Sequence, residues 1–347
     1  MEVMNRRDAL RAAALGGAAL LTPLAGWLEP VTGEAFTTRT GAFSVAEVNA
    51  LERLAETFRQ WRSAESGLGR TAVLGQLADV GARLKDATPG LLTDRVFVVA
   101  AELARISASM AFDAGDHRPA QDHYLLAARL AKSGNDVVFG AVALSALARL
   151  QFDIGATDDG LNVVSLAQRG TRRTSSPRLR SMLATREAWG HAQVGDAHRF
   201  RVAVDSALDA HGDATADDPA SLRSFDPAEL HGTVGARFRD MARHDRRHAS
   251  DAARHVTTAL ELRGPNRARN RAFDYVSLAR VQLIAGEPDG SAESARSALP
   301  HFDVHRPGRL GRKLSDWVRE SEPFRTVPVV ADVRDEIQQL TTTTRNV

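Results

Sequence analysis

The stretch ASMAFDAGDHRPAQDHYLLAA, residues 108–128, decides the fold. Apolar residues at helical spacing run into Gly115, an acid follows, and helical spacing resumes through Tyr124 and Ala127. Residues 148–168, ARLQFDIGATDDGLNVVSLAQ, and 188–208, AWGHAQVGDAHRFRVAVDSAL, repeat the arrangement around Gly155 and Gly195. The three glycines lie forty residues apart. Nine residues after them come Tyr124, Val164 and Val204, and twelve after them Ala127, Ala167 and Ala207. The register returns at Gly286, with Ala295 and Ala298, and in degraded form at His244-Asp245, with Ala249, Ala253 and Val256. Self-similarity at a fixed period marks stacked supersecondary units, each too small to bury its own apolar face.

Each unit reads as two antiparallel helices, A and B, joined at the glycine. A left-handed backbone ends helix A there at no steric cost. Where two helices cross tightly, small side chains are required. Seven residues before the glycines stand Ala108, Ala148, Ala188 and Ala279, with Arg237 breaking the rule in the degraded unit. Five residues after the turns stand Ala120, Gly160, Phe200, Ala249 and Ser291. No run of alternating β-branched residues signals a strand, so the expected class is all-α.

Composition narrows the function. Forty-five Lys and Arg against 43 acids leave a formal charge of +2, which announces neither a nucleic-acid nor a membrane partner. The chain has no cysteine, which excludes disulfides, thiolate catalysis and Cys-ligated zinc. Residues 1–43 are expected to form an N-terminal arm, and 44–88 a capping helix pair opened by a Ser44–Glu47 capping box and broken near 67–69. Residues 89–300 hold five repeat pairs: 91–114 with 119–132, 137–154 with 158–169, 177–194 with 197–210, 227–243 with 248–262, and 265–285 with 289–299. A polar loop from His211 to Asp226 separates the third and fourth pairs. Residues 301–347 read as capping helices around 310–320 and 329–340 with a frayed tail.

No glycine-rich phosphate loop and no nucleophile elbow occurs, so neither an enzyme nor a cofactor is expected. His244-Asp245-Arg246-Arg247-His248 places two histidines four apart, as a zinc-protease helix does. The repeat register puts His244 at a turn, so the expected reading is a solvated turn and not a metal site. Ten arginines between Arg237 and Arg271 read as a solvated face partly neutralised by the acidic loop before it, without the aromatic interleaving of a nucleic-acid surface.

These units resemble tetratricopeptide repeats, over about 200 residues. The period of forty and the missing aromatics near the start of helix A depart from that pattern, and HEAT-like helix pairs are the alternative. The resemblance implies a right-handed α-solenoid whose A helices line a concave groove. By the same resemblance, the positions thirteen, ten, six and three before each turn glycine face a ligand. Here they give Glu102, Arg105, Ser109 and Phe112; Val142, Ser145, Arg149 and Phe152; Met182, Thr185, Trp189 and Ala192; and Phe273, Val276, Arg280 and Leu283. Arginines beside aromatics suit a peptide or protein carrying an acidic group. The alternative is that the aromatics pack against the next unit.

Arg6-Arg7-Asp8-Ala9-Leu10, the Ala/Gly/Leu run after it, Pro23-Leu24 and Trp27-Leu28 resemble the linker of actinobacterial regulators that join a helix-turn-helix domain to such repeats. A chain read from Met1 has no room for that domain before Arg6. The resemblance implies a cytoplasmic regulatory or sensor protein, in transcriptional or developmental control, acting on DNA through a partner or through a helix-turn-helix domain encoded from an upstream start. The same arginine pair and apolar run also fit a twin-arginine export signal, which makes an exported scaffold the rival reading. The run is too short to span a bilayer.

Overall fold

The computed structural model describes residues 43–61, 67–85, 87–174, 176–264, 267–302 and 308–343, together with Leu20 and Leu24, both buried. The arginine pair and, apart from Leu20, Leu24 and Phe43, the rest of the expected arm lie outside the described residues. Among these residues the regular structure is entirely helical. The helices are α1 (Val45–Trp61), α2 (Gly67–Leu84), α3 (Leu91–Ala114), α4 (His117–Ser133), α5 (Val137–Ile154), α6 (Thr157–Gly170), α7 (Pro177–Val194), α8 (Ala197–Gly212), α9 (Pro227–Ala242), α10 (Ala249–Leu262), α11 (Ala268–Ala285), α12 (Pro288–Ala298), α13 (Gly308–Glu320) and α14 (Pro328–Thr343). Neighbours in sequence pack as pairs.

The turn glycines do what their spacing demands. Gly115, Gly155, Gly195 and Gly286 adopt φ of 95°, 79°, 74° and 83°, each directly after an A helix. The capping box is reciprocal: the Ser44 amide donates to Glu47 Oε2 at 2.8 Å, and the Glu47 amide to Ser44 Oγ at 3.2 Å. Tight crossing at small residues is equally direct. Ala108, Ala148 and Ala279 are fully buried, and Ser291 Oγ donates to the Ala279 carbonyl at 2.7 Å, joining α12 to α11. Gly160 of α6 leaves room for Phe152 of α5: a Cβ there would run into the ring.

The degraded unit solves its crossing differently. Helix α9 ends at Ala242, and a 3₁₀ turn at Arg246–His248 precedes α10, so the His244–His248 string is not one helix. The close approach of α9 to α10 falls at Gly235, where a Cβ would meet Val256 Cγ2 at 2.6 Å. The register is displaced by two residues from the one the sequence suggests, which frees Arg237 from the crossing point.

The chain divides into two compact units, Met1–Leu179 and Arg180–Val347, with the division inside α7. In the first, α1 and α2 cover the start of α3 through Val48, Leu51, Phe58, Val73, Val80, Val96 and Leu103. Helix α5 is long and apolar enough to cross a membrane, but it is mostly buried and packs against α3, α4 and α6, which accounts for an apolar surface all round. In the second unit, α13 and α14 close on α11 and α12 through Leu310, Leu314, Trp317, Val330 and Ile337. Trp317 is fully buried and donates its indole N–H to Ser291 Oγ at 2.9 Å.

Polar contacts between successive helix pairs recur at one interval. In the first unit Arg59 meets Glu102, Arg95 meets Glu52 and Asn135 meets Asp94, at separations of 43, 43 and 41 residues. In the second, Asn270 meets Glu229, Arg239 meets Ser277, Arg280 meets Glu320 and Arg296 meets Glu336, at 41, 38, 40 and 40. Each of these contacts ties one helix pair to the next.

Candidate functional site

The A helices carry the residues expected to face a ligand. On α3, Glu102 is 5% exposed and is clamped by two arginines: Arg59 Nε lies 2.9 Å and Arg105 Nη2 2.6 Å from its Oε1. Burial works against ionisation of Glu102, yet Arg105 and Arg59 overcome it and hold its carboxyl below the ordinary value. Arg105 is half-buried over the Phe139 ring at 5.9 Å. On α5, Arg149 is half-buried over the Phe112 ring at 5.1 Å, and Ser145 is buried.

The aromatics turn inward. Phe112 and Phe152 are 0% and 1% exposed, and Phe152 fills the gap at Gly160 inside its own helix pair. Ser109 is bonded across its pair to the Tyr124 hydroxyl at 3.1 Å. Ser109 and Phe152 thus serve the A–B contact of their own pairs, while Arg149, six before Gly155, reaches across to the Phe112 ring of the preceding A helix. The positions thirteen and ten before the glycine, Glu102 and Arg105, retain polar surroundings.

In the second unit, Trp189 of α7 lies under the Arg237 guanidinium at 3.5 Å, a stacked cation–π contact. Arg280 of α11 is 3% exposed and donates to both oxygens of Glu320 on α13, Nε at 2.7 Å. Around these lies a charged seam that sequence reasoning missed. Arg239 donates to Asp240 at 2.7 Å and to Ser277 Oγ at 3.3 Å, Arg243 reaches Glu320 at 2.5 Å, and Asp316 stands 3.8 Å from Arg280. Burial opposes the charge on Asp240, and Arg239, Arg237 and Arg243 outweigh it, holding the carboxyl far below its usual range. Burial lowers Arg239, and repulsion from Arg280 and Arg243 adds to it.

The arginine stretch from Arg237 to Arg271 is therefore not one solvated face. Arg237, Arg239 and Arg263 are buried. Arg263 is held by Asp274 and, at 3.0 Å, by Glu229, while Arg246 Nε donates to the Ile284 carbonyl at 2.8 Å. The acidic loop contributes Asp226, which lies 3.5 Å from Arg267 and caps α9 by accepting from the Glu229 amide at 2.8 Å. The signals were present in the chain: Arg237 violated the small-residue rule, and Glu320 stands forty residues beyond Arg280.

Among the described residues no group of three or more His, Cys, Asp or Glu side chains is placed to hold a metal ion. No protein-family model matches the chain, and no curated protein matches it significantly.

Proposed function

We propose that this chain is a non-enzymatic, cytoplasmic regulatory or sensor protein, a right-handed α-solenoid of tetratricopeptide-like units that binds a peptide or protein partner along its A helices. The recurrence of polar contacts at about forty residues supports the stacking. One observation carries the binding: half-buried arginines stand over aromatic rings on successive A helices, Arg105 over Phe139 and Arg149 over Phe112. A guanidinium whose plane is set against a ring can take an acidic side chain or a C-terminal carboxylate in bidentate fashion, on Arg105 in exchange for the Glu102 carboxylate it holds at 2.6 Å. Phe139 and Phe112 then act as supports under the arginines, and Phe152, packed at Gly160, is not a ligand contact. The regulatory assignment rests on the resemblance of residues 6–28 to the actinobacterial linker.

Selection from a displayed library of random peptides tests this reading. The expected result is enrichment of acidic or carboxylate-terminated sequences, with binding weakened at least tenfold in a folded Arg105→Gln/Arg149→Gln variant. No enrichment, or equal binding by the variant, sinks it. The arginine pair at residues 6–7 favours a second reading, an exported scaffold; mass spectrometry of the native N-terminus separates the two, since cleavage near Ala25 would mean export.

A further inference from the structure

His231 on α9 and His255 on α10 bring their Nδ1 atoms to 2.9 Å, with the rings stacked at 5.1 Å and 28°. His255 is 3% exposed and lies flat on Phe238, at 5.5 Å and 12°. Phe238 is buried in turn, with Phe200 of α8 edge-on at 5.0 Å. Two ring nitrogens at this distance form a hydrogen bond only when one carries hydrogen and the other does not. The rings must therefore hold opposite tautomers, hydrogen on Nδ1 in one and on Nε2 in the other. One added proton leaves the bond in place, now charge-assisted. A second sets N–H against N–H, and the bond is lost.

We propose that His231 and His255 form a proton-sensitive latch between α9 and α10, closed while the two rings share one hydrogen and opened when both are protonated. It is independent of what the A helices bind. The pair it fastens is the repeat pair whose turn lacks a left-handed glycine.

The surroundings set the direction. Arg254 on α10 and Arg201 on α8 bring positive charge, and His211 on α8 adds to it when protonated. Asp251 on α10 is the opposing carboxylate, held by Arg254 at 2.8 Å and Arg201 at 3.6 Å. His248, in the 3₁₀ turn, lies 6.0 Å from Phe238. Helix α11 brings Asp274, bound to Arg263, and Arg271, whose Nη1 caps the Leu260 carbonyl at 2.8 Å. Burial, then Arg254, pushes His255 down to about 4, and the same two causes lower His231. Both rings bind fewer protons in the folded chain than in the unfolded one. The contribution of the latch is therefore complete above the ordinary histidine value of 6.5 and is lost as pH falls toward about 4. Asp274 acts oppositely: burial pushes it up to about 6 against the pull of Arg263, so its protonation favours the folded chain as pH falls through the same range. Whole-chain melting blends these two effects, and the rings are best read directly.

Long-range proton–nitrogen NMR of the imidazoles in the full chain does so, with assignment by loss of signals in His231→Gln and His255→Gln. At pH 7.5 the expected spectrum shows opposite tautomers for the two rings. On acidification, both rings should protonate below pH 6, and amides of α9 and α10 should then lose at least tenfold in protection relative to their intrinsic exchange rate at each pH. A His255→Phe variant, which keeps the stack on Phe238, should lose that pH-dependent drop in protection. Identical tautomers at pH 7.5, ordinary protonation near pH 6.5, or unchanged amide protection at low pH each overturns the latch. The wild-type measurements decide the matter even if a variant fails to fold.

Discussion

At a glycine, the sign of a substitution depends on what the missing Cβ would meet. Gly75 and Gly81 lie inside α2, where an added methyl would meet nothing within 4 Å. Alanine there removes backbone freedom from the unfolded chain and should stabilise by about 0.5–1 kcal/mol each. Gly160 is also helical, and intrinsic propensity alone would favour alanine. Its Cβ, however, would press into the Phe152 ring, which is fully enclosed. Overpacking of this kind costs about 1–3 kcal/mol and outweighs the propensity gain, so Gly160→Ala should destabilise. At Gly134 the obstacle is backbone, the Asp94 carbonyl at 2.6 Å, with the same expected sign. Urea midpoints at constant slope check the set: if Gly160→Ala and Gly75→Ala move the midpoint in the same direction, the tight-crossing account fails.

Between elements, ion pairs of similar geometry differ in worth by their burial. Arg280 and Glu320 tie α11 to α13 with the guanidinium 3% exposed and the carboxylate 27% exposed. Arg296 and Glu336 tie α12 to α14 at a comparable distance, but both remain more than two-fifths exposed. Glu320→Ala strands a buried cation with only the more distant Asp316, and should cost about 2 kcal/mol. Glu336→Ala should stay within about 0.5 kcal/mol. Denaturant melts of the two variants test the contrast, and equal losses would refute it. Much of this element plan was legible in the chain. The ends of α3, α5 and α7 fall where the sequence places them, because glycine and proline punctuate them. Helix α1 is described to Trp61, and α2 already runs from Gly67, through the 67–69 break that the sequence suggests. The fourth unit shifted by two residues because no left-handed glycine fixes its turn. The seam was illegible for a different reason: helical spacing says which residues share a face, but not whether a following helix will cover that face. Phe112, Phe152 and Arg280, at positions the resemblance turns toward a ligand and with packing of the aromatics as the alternative, are buried.

For the whole molecule, the proposed stacking of equivalent helix pairs predicts that one period is dispensable. Excising residues 116–155 removes α4 and α5 and joins Gly115 to Ala156. Helix α3 would then pair with α6, with Ala108 and Phe112 taking the places of Ala148 and Phe152 over Gly160. The shortened chain should remain soluble with unchanged helicity per residue, at a lower melting temperature. Collapse of its far-ultraviolet circular dichroism would show that the pairs are not interchangeable. The same feature bears on how the chain comes to be folded at all. Hydrogen bonds that reach about forty residues ahead, from Arg59 to Glu102 or from Arg280 to Glu320, ask for only short loops to close. Such a topology belongs to the fast end of the folding spectrum. During synthesis, each helix pair can gain its neighbour as soon as the next forty residues clear the ribosome, so the polypeptide can be built to its final form from the front, one pair at a time.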